Sequence, residues 1–154
     1  MRVALGADHA GVRYRGLFEA ALREKGHDVT VLGAMSEDEP YDYTEVSEAV
    51  ARAVTDGAAD RGIIVAGSGN GEAIVANKIH GIRASVCNDL YTAEMARRHN
   101  DANVLCVGQR ACGDAVALKV LDIWLETPFD GGRHATRIAN IGALEARVKK
   151  EHGG

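Results

Sequence analysis

No apolar run in the sequence approaches the ~20 residues that a membrane-spanning helix requires, and aromatic residues are scarce, at 5% of the chain. A block of basic residues is also missing. The 18 Lys and Arg are scattered among 22 Asp and Glu, for a net charge of −4. Nucleic acid and membrane are therefore poor partners, because polyanionic surfaces are recognised through massed positive charge. The opening residues, MRVALGADHAG, contain no secretory hydrophobic segment, so a cytoplasmic protein is expected. Proline occurs only twice, and there is no internal repeat, low-complexity tract or linker. The three cysteines, Cys87, Cys106 and Cys112, are odd in number and sit in or beside apolar segments. In a reducing compartment they read as small core residues rather than a disulfide framework.

What is present is the composition of an ordinary globular domain, 46% hydrophobic and 26% charged over 154 residues. That length suits a single domain, 1–154, with a real core. Short apolar segments recur at Arg2–Gly6, Asp28–Leu32, Arg61–Val65, Arg83–Cys87 and Val104–Gly108. Helical stripes lie between or after them: Tyr14, Leu17, Phe18, Ala21 and Leu22, closed by Gly26; Val46, Ala49, Val50, Ala53 and Val54, with Asp42 and Glu45 at capping-box spacing and Gly57 behind; Val116, Val120, Ile123 and Trp124, ended by Pro128. A last stripe, Ile138, Ile141, Leu144 and Val148, marks a C-terminal helix. Short β-branched strands separated by helices predict a five-stranded parallel sheet covered on both faces, an α/β fold of three layers.

In such a sheet ligands bind beyond the carboxyl ends of the strands. Asp8 and His9 follow the first strand, Asn88 and Asp89 the fourth, and Gln109 and Arg110 the fifth. After the third comes GSGNGE, in which Gly67, Gly69 and Gly71 alternate with Ser68 and Asn70 before Glu72. The loop has neither the Walker A pattern nor a dinucleotide fingerprint. Successive backbone N–H groups here would suit an anion or a developing oxyanion. Each residue also has a plainer reading. Glu72 suits a first-turn acid facing the helix dipole, and Asp8-His9 suits a helix cap with a surface histidine. His99, after Arg97 and Arg98, suits the cationic end of a helix. Arg133 and Arg137, spaced i, i+4, either share a solvated face or grip a phosphate that cancels their repulsion.

Together a carboxylate, an N–H cradle, histidines and an arginine pair, without metal-ligand spacing or a redox-cofactor motif, suit proton abstraction beside the carbonyl of a phosphorylated sugar. No metal and no cofactor are expected. The motifs GADHAG, GSGNGEAIVANK, GIRA, HNDANVL and GGRHATRI occur in that order over residues 1–148. In order and spacing they resemble ribose-5-phosphate isomerase B and its relatives acting on galactose 6-phosphate and allose 6-phosphate. The resemblance implies a flavodoxin- or Rossmann-like fold and a metal-free enediolate mechanism. It also implies a homodimer or dimer of dimers. Asp8 and His9 would contact the substrate, Gly67, Ser68, Gly69, Asn70 and Gly71 would form the anion hole, and His99 would assist ring opening. Asn100 would bind a hydroxyl, and Arg110, Arg133 and Arg137 would hold the phosphate.

Many members carry a catalytic cysteine just before the glycine loop, where this chain has Ala66. The sequence instead resembles the branch in which the loop glutamate is the base, which gives that role to Glu72. His99 and Asn100 precede the fifth strand and so belong at the amino end of the sheet, opposite the loop. Active sites shared between subunits resolve that separation. Ribose 5-phosphate and ribulose 5-phosphate are the expected pair. A tetrose phosphate such as erythrulose 4-phosphate, a hexose 6-phosphate, or a non-catalytic sugar-phosphate-binding module are the alternatives.

Overall fold

The computed structural model describes residues 1–152; Gly153 and Gly154, the end of the expected domain, lie outside the described residues. Strands β1 (Arg2–Ala7), β2 (Asp28–Gly33), β3 (Arg61–Ala66), β4 (Ala84–Val86) and β5 (Val104–Gly108) form one parallel sheet in the order β2-β1-β3-β5-β4. Alternation of strand and helix implies the layers but not this order, in which the last strand inserts inside the fourth. β4 is shorter than its apolar run because the Arg83 N–H bonds the Asn103 side chain, 2.8 Å away, instead of extending the ladder.

Helices α1 (Val12–Glu24), α4 (Leu90–Arg98) and α5 (Asp114–Glu126) cover one face, where Tyr14, Phe18 and Leu22 meet Val3, Leu5, Ile63 and Leu105. Helices α2 (Tyr43–Thr55) and α3 (Asn70–Ala76) cover the other, with Val46 and Val50 against Ala4 and Ile64. Alternate strand residues thus feed the two cores, as a sheet buried on both sides requires. Asp42 caps α2 by accepting from the Thr44 N–H at 2.8 Å rather than through a reciprocal box with Glu45. In α5 the buried stripe is Ala117, Val120, Leu121, Trp124 and Leu125, while Val116 turns outward.

The final helix, α6 (Arg133–His152), stands apart. Its predicted stripe exists but is only partly covered: Ile138 is half-buried, while Ile141, Leu144 and Val148 are 40%, 48% and 41% exposed. Glu145 ties it down, accepting from the Gly81 N–H and facing the His80 ring at 2.9 Å.

Trp124 joins the layers at the amino edge, buried with the Arg61 guanidinium 5.2 Å and the Arg97 guanidinium 5.7 Å from the ring centroid. Trp124→Ala should destabilise the fold by about 3–5 kcal/mol, the usual cost of emptying an aromatic core site. Urea denaturation measures it, and a loss below about 1 kcal/mol would show that this corner collapses without its aromatic centre.

Candidate active site

The chain passes from β1 to β2 on one side and returns to β3 on the other, so the carboxyl ends of β1 and β3 open into a crevice. A cavity of about 560 Å³ lies there. Asp8 and His9 reach it from the turn after β1, and Gly67, Ser68, Gly71 and Glu72 from the loop after β3. Arg110 reaches it from the turn after β5. Tyr43, at the start of α2, also lines the cavity. Sequence reasoning missed Tyr43, although the rule that ligands bind beyond strand ends applies to the segment after β2 as well.

Pairing of β5 with β3 builds the floor. Ala66 lies opposite Gly108, the Gln109 N–H bonds the Ala66 carbonyl at 2.7 Å, and the Arg110 N–H bonds the Gly67 carbonyl at 3.1 Å. Asn88 braces the same corner, accepting from the Gly108 N–H at 2.8 Å and donating to the Ser68 carbonyl at 3.4 Å. Asp89 caps α4 through Thr92, and Gln109 accepts from the Tyr14 N–H, so these two are structural supports. Two of the loop glycines have separate causes. Gly69 sits at φ 85°, a left-handed turn that launches α3. Gly71 lies under the Tyr43 ring, where a Cβ would come within 2.8 Å of a ring carbon. The Asn70 N–H turns back to the Ser68 hydroxyl at 3.3 Å, which leaves the cradle to its neighbours.

The cavity holds two buried carboxylates. Glu72 is 5% and Asp8 8% exposed. Burial pushes the Glu72 carboxyl above the ordinary carboxylate range, and the nearby Asp8 charge raises it further. Burial raises Asp8 as well, against opposing help from His9 and backbone N–H groups. One Asp8 oxygen, Oδ1, is fully buried without a hydrogen-bond partner. Such groups are costly and belong where a ligand completes them. The thiols are poor competitors as bases. Burial pushes Cys87 up to about 12 and Cys106 well above its ordinary value, and it raises Cys112 too.

The remaining predicted residues lie elsewhere. His99 caps the C-terminus of α4, and Asn100 lines grooves beside β4 and α6. Arg133 and Arg137 are exposed on the first turns of α6. The Asp130 N–H bonds the Arg98 carbonyl, which brings His134 onto His99 with ring centroids 4.1 Å apart. None of these residues borders the cavity at Glu72. Sequence reasoning also missed His134 and Asp130, although the former lies inside a quoted motif.

Comparison with known proteins gives the architecture its relatives. The sequence pattern described as Ribose/Galactose Isomerase matches residues 3–141. The chain belongs to the ribose/galactose isomerase family. It is 42% identical to Escherichia coli ribose-5-phosphate isomerase B over 95% of this chain and 97% of that one. It is 36% identical to the D-erythrulose-4-phosphate isomerase of Pectobacterium atrosepticum, over 98% and 99% of the two chains. The solved structure of Clostridium thermocellum ribose-5-phosphate isomerase B superposes with a TM-score of 0.93 at 42% identity, covering 96% of this chain and 99% of that one.

Within this family member, His99, Asp130 and His134 present potential metal-ligand atoms within 4.8 Å of one another. Their geometry weighs against chelation. Arg98 already holds both Asp130 oxygens at 3.1 Å, and the imidazoles stack only 6° from parallel. Lone pairs in parallel planes do not converge on one ion. Burial and the charges of His99, Arg133 and Arg137 lower the His134 pKa, against the Asp130 carboxylate, which raises it.

Because Glu72 is raised by burial, the folded chain holds that proton to a higher pH than the unfolded chain, and folding loses stability as the carboxyl ionises. Glu72→Gln should therefore raise Tm at pH 8, by a margin that shrinks on acidification through the raised pKa. A thermal series from pH 8 to 4.5 measures this. A lower Tm for the variant at pH 8 would show the carboxylate to be held by favourable partners.

Proposed function

We propose that this chain interconverts ribose 5-phosphate and ribulose 5-phosphate, with Glu72 as the base. The observation that carries the proposal is a buried carboxylate at the mouth of a glycine loop, in a cavity that also holds an arginine. Desolvation brings its proton affinity closer to neutral pH, as an effective general base needs. In the open-chain aldose Glu72 removes the C2 proton, and the electron pair moves into a C1–C2 double bond, leaving negative charge on O1. Loop N–H groups, including those of the first turn of α3, offset that charge. A proton passes from O2 to O1, and Glu72 returns its proton to C1 to give the ketose. The unpartnered Asp8 Oδ1 suits a sugar hydroxyl, and Arg110 with His9 suits the phosphate.

Ribose 5-phosphate is largely a furanose and must open first. His99 supplies that step, Asn100 holds a hydroxyl, and Arg133 with Arg137 completes the phosphate clamp. Since these four lie away from the cavity, a second copy of the chain brings them to it. The partly covered stripe of α6 supports this reading, because an apolar helix face is the ordinary material of a subunit interface. A homodimer is the minimum assembly, and a dimer of dimers keeps the same pairing. Sugar phosphates are charged metabolites retained inside cells, which places the reaction in the cytoplasm. The Pectobacterium relative favours a second reading, a tetrose phosphate as substrate.

Purified protein assayed with four-, five- and six-carbon aldose phosphates, with EDTA throughout, tests the assignment. The highest kcat/KM should fall on ribose 5-phosphate, and Glu72→Gln should lose at least about 10²-fold in kcat with a smaller change in KM. Preference for the tetrose would replace the substrate, and dependence on a divalent ion would end the metal-free mechanism.

Shared sites have their own test. Co-refolded His99→Ala and Glu72→Gln chains form mixed dimers in which one site carries both lesions and the other carries neither. Activity should rise well above either parent, toward about a quarter of wild type for random pairing. Verified mixed dimers without recovery would place both residues in the same subunit's site.

A further inference from the structure

Asp101 is the one non-glycine residue with positive φ among the described residues, at 43°. Glycine is the common solution just past a helix end, and an L-residue holds this conformation only where its surroundings demand it. Here the side chain is engaged on both sides. Arg97 pairs with one carboxylate oxygen at 2.9 Å and Arg83 donates to the other at 3.3 Å. The same two guanidinium groups hold the backbone around it. Arg83 donates to the carbonyls of Asn100 at 3.0 Å and Asp101 at 2.8 Å, and Arg97 to that of Ala102 at 2.6 Å.

Both arginines are themselves fixed. Arg97 is 5% exposed, with its guanidinium beside Trp124. Arg83 is anchored through Asn103, whose side chain accepts from the Arg83 N–H and donates to the Gly81 carbonyl. Nested bonds close the helix inside this clamp, Asp101 N–H to the Arg97 carbonyl and Ala102 N–H to that of Ala96. His99 lies two residues before Asp101. Its ring stacks on that of His134.

We propose that Asp101, clamped by Arg83 and Arg97, is a positioning residue that sets the direction in which His99 leaves the end of α4, and so serves ring opening. The inference rests on the assignment of His99 to that step. Asp101 touches no substrate and acts through the backbone of the turn. The carboxylate draws two cations from different elements onto one left-handed residue, which leaves the preceding histidine one orientation rather than several. A misdirected imidazole fails as a proton carrier even when the fold and the cavity at Glu72 are intact.

The test separates ring opening from the rest of the site. Asp101→Gly keeps the backbone conformation accessible and removes the carboxylate. Arg83→Lys keeps the charge and removes the fork. Asp101→Asn keeps one acceptor. Turnover of ribose 5-phosphate should fall at least about 10-fold in the first two variants and less in the third. An acyclic phosphorylated hydroxamate, which mimics the enediolate and has no ring to open, should bind each within about threefold of wild type. Circular dichroism and Tm establish folding, and His99→Ala serves as the reference for a selective defect.

Wild-type turnover in folded Asp101→Gly and Arg83→Lys would overturn the proposal while leaving the isomerase assignment standing. Equal loss of turnover and hydroxamate binding would also overturn it, because a collapsed site moves both. Inactive wild-type protein, or unimpaired His99→Ala, would instead remove the catalytic reading on which the proposal rests.

Discussion

The hydrogen-bonded pairing of β5 with β3 is the constraint on which the cavity depends. It sets Ala66 opposite Gly108 and carries the ladder on into Gln109 and Arg110, whose N–H groups bond the Ala66 and Gly67 carbonyls. An arginine distant in sequence is thereby fixed above a glycine loop it does not adjoin in the chain. Had β4 taken that inner place, Asp89 would occupy the position of Gln109. Instead β4 is a short edge strand, and Asn88 reaches inward from it to brace both loops. The positions of loop, base and arginine thus follow from one backbone register.

Against that rigid frame the cavity is electrostatically unsatisfied. Two carboxylates are withdrawn from water side by side, each raised by burial, and Asp8 leaves an oxygen with no partner. In a core this would be an error of folding. At the mouth of a crevice it is a way of storing basicity, since a carboxylate stripped of water gains more by taking a proton. Cys87 and Cys106 are buried too, and Cys112 partly so, and burial raises all three thiols so that they stay protonated. Burial therefore acts on both kinds of group, but Asp8 and Glu72 line the cavity and the thiols do not.

The opposite edge of the sheet follows another logic. There the charges are paired and dense: Arg98 with Asp130, and Arg83 and Arg97 with Asp101. Such networks spend charge on holding shape rather than on reactivity. Their products are a fixed helix end, a stacked pair of imidazoles and the start of a long helix whose apolar stripe is only partly covered by the described residues. The cavity and this edge thus differ in kind, one leaving a buried oxygen without a partner and the other pairing its charges.

Much of this was legible in the sequence because periodicity and strand-end rules are local. The β-branched runs and the stripes of α1, α2 and α5 read as elements directly, and Asp8, Glu72 and Arg110 were placed by following strands to their carboxyl ends. The alternation of elements likewise put His99 at the far edge. Other features required the tertiary structure. Tyr43 became a wall of the cavity only when α2 packed across α3 and laid the ring over Gly71. His134 met His99 only through the Asp130 link. The left-handed turn at Asp101 depends on an arginine 18 residues earlier in the chain. Sequence by itself determined which segments are strands and helices, and which polar residues end them, because those are short-range consequences of side-chain spacing. Tertiary structure alone decided which strand neighbours which, and hence which distant side chains share a cavity, because hydrogen-bond register between segments leaves no periodic trace in either one.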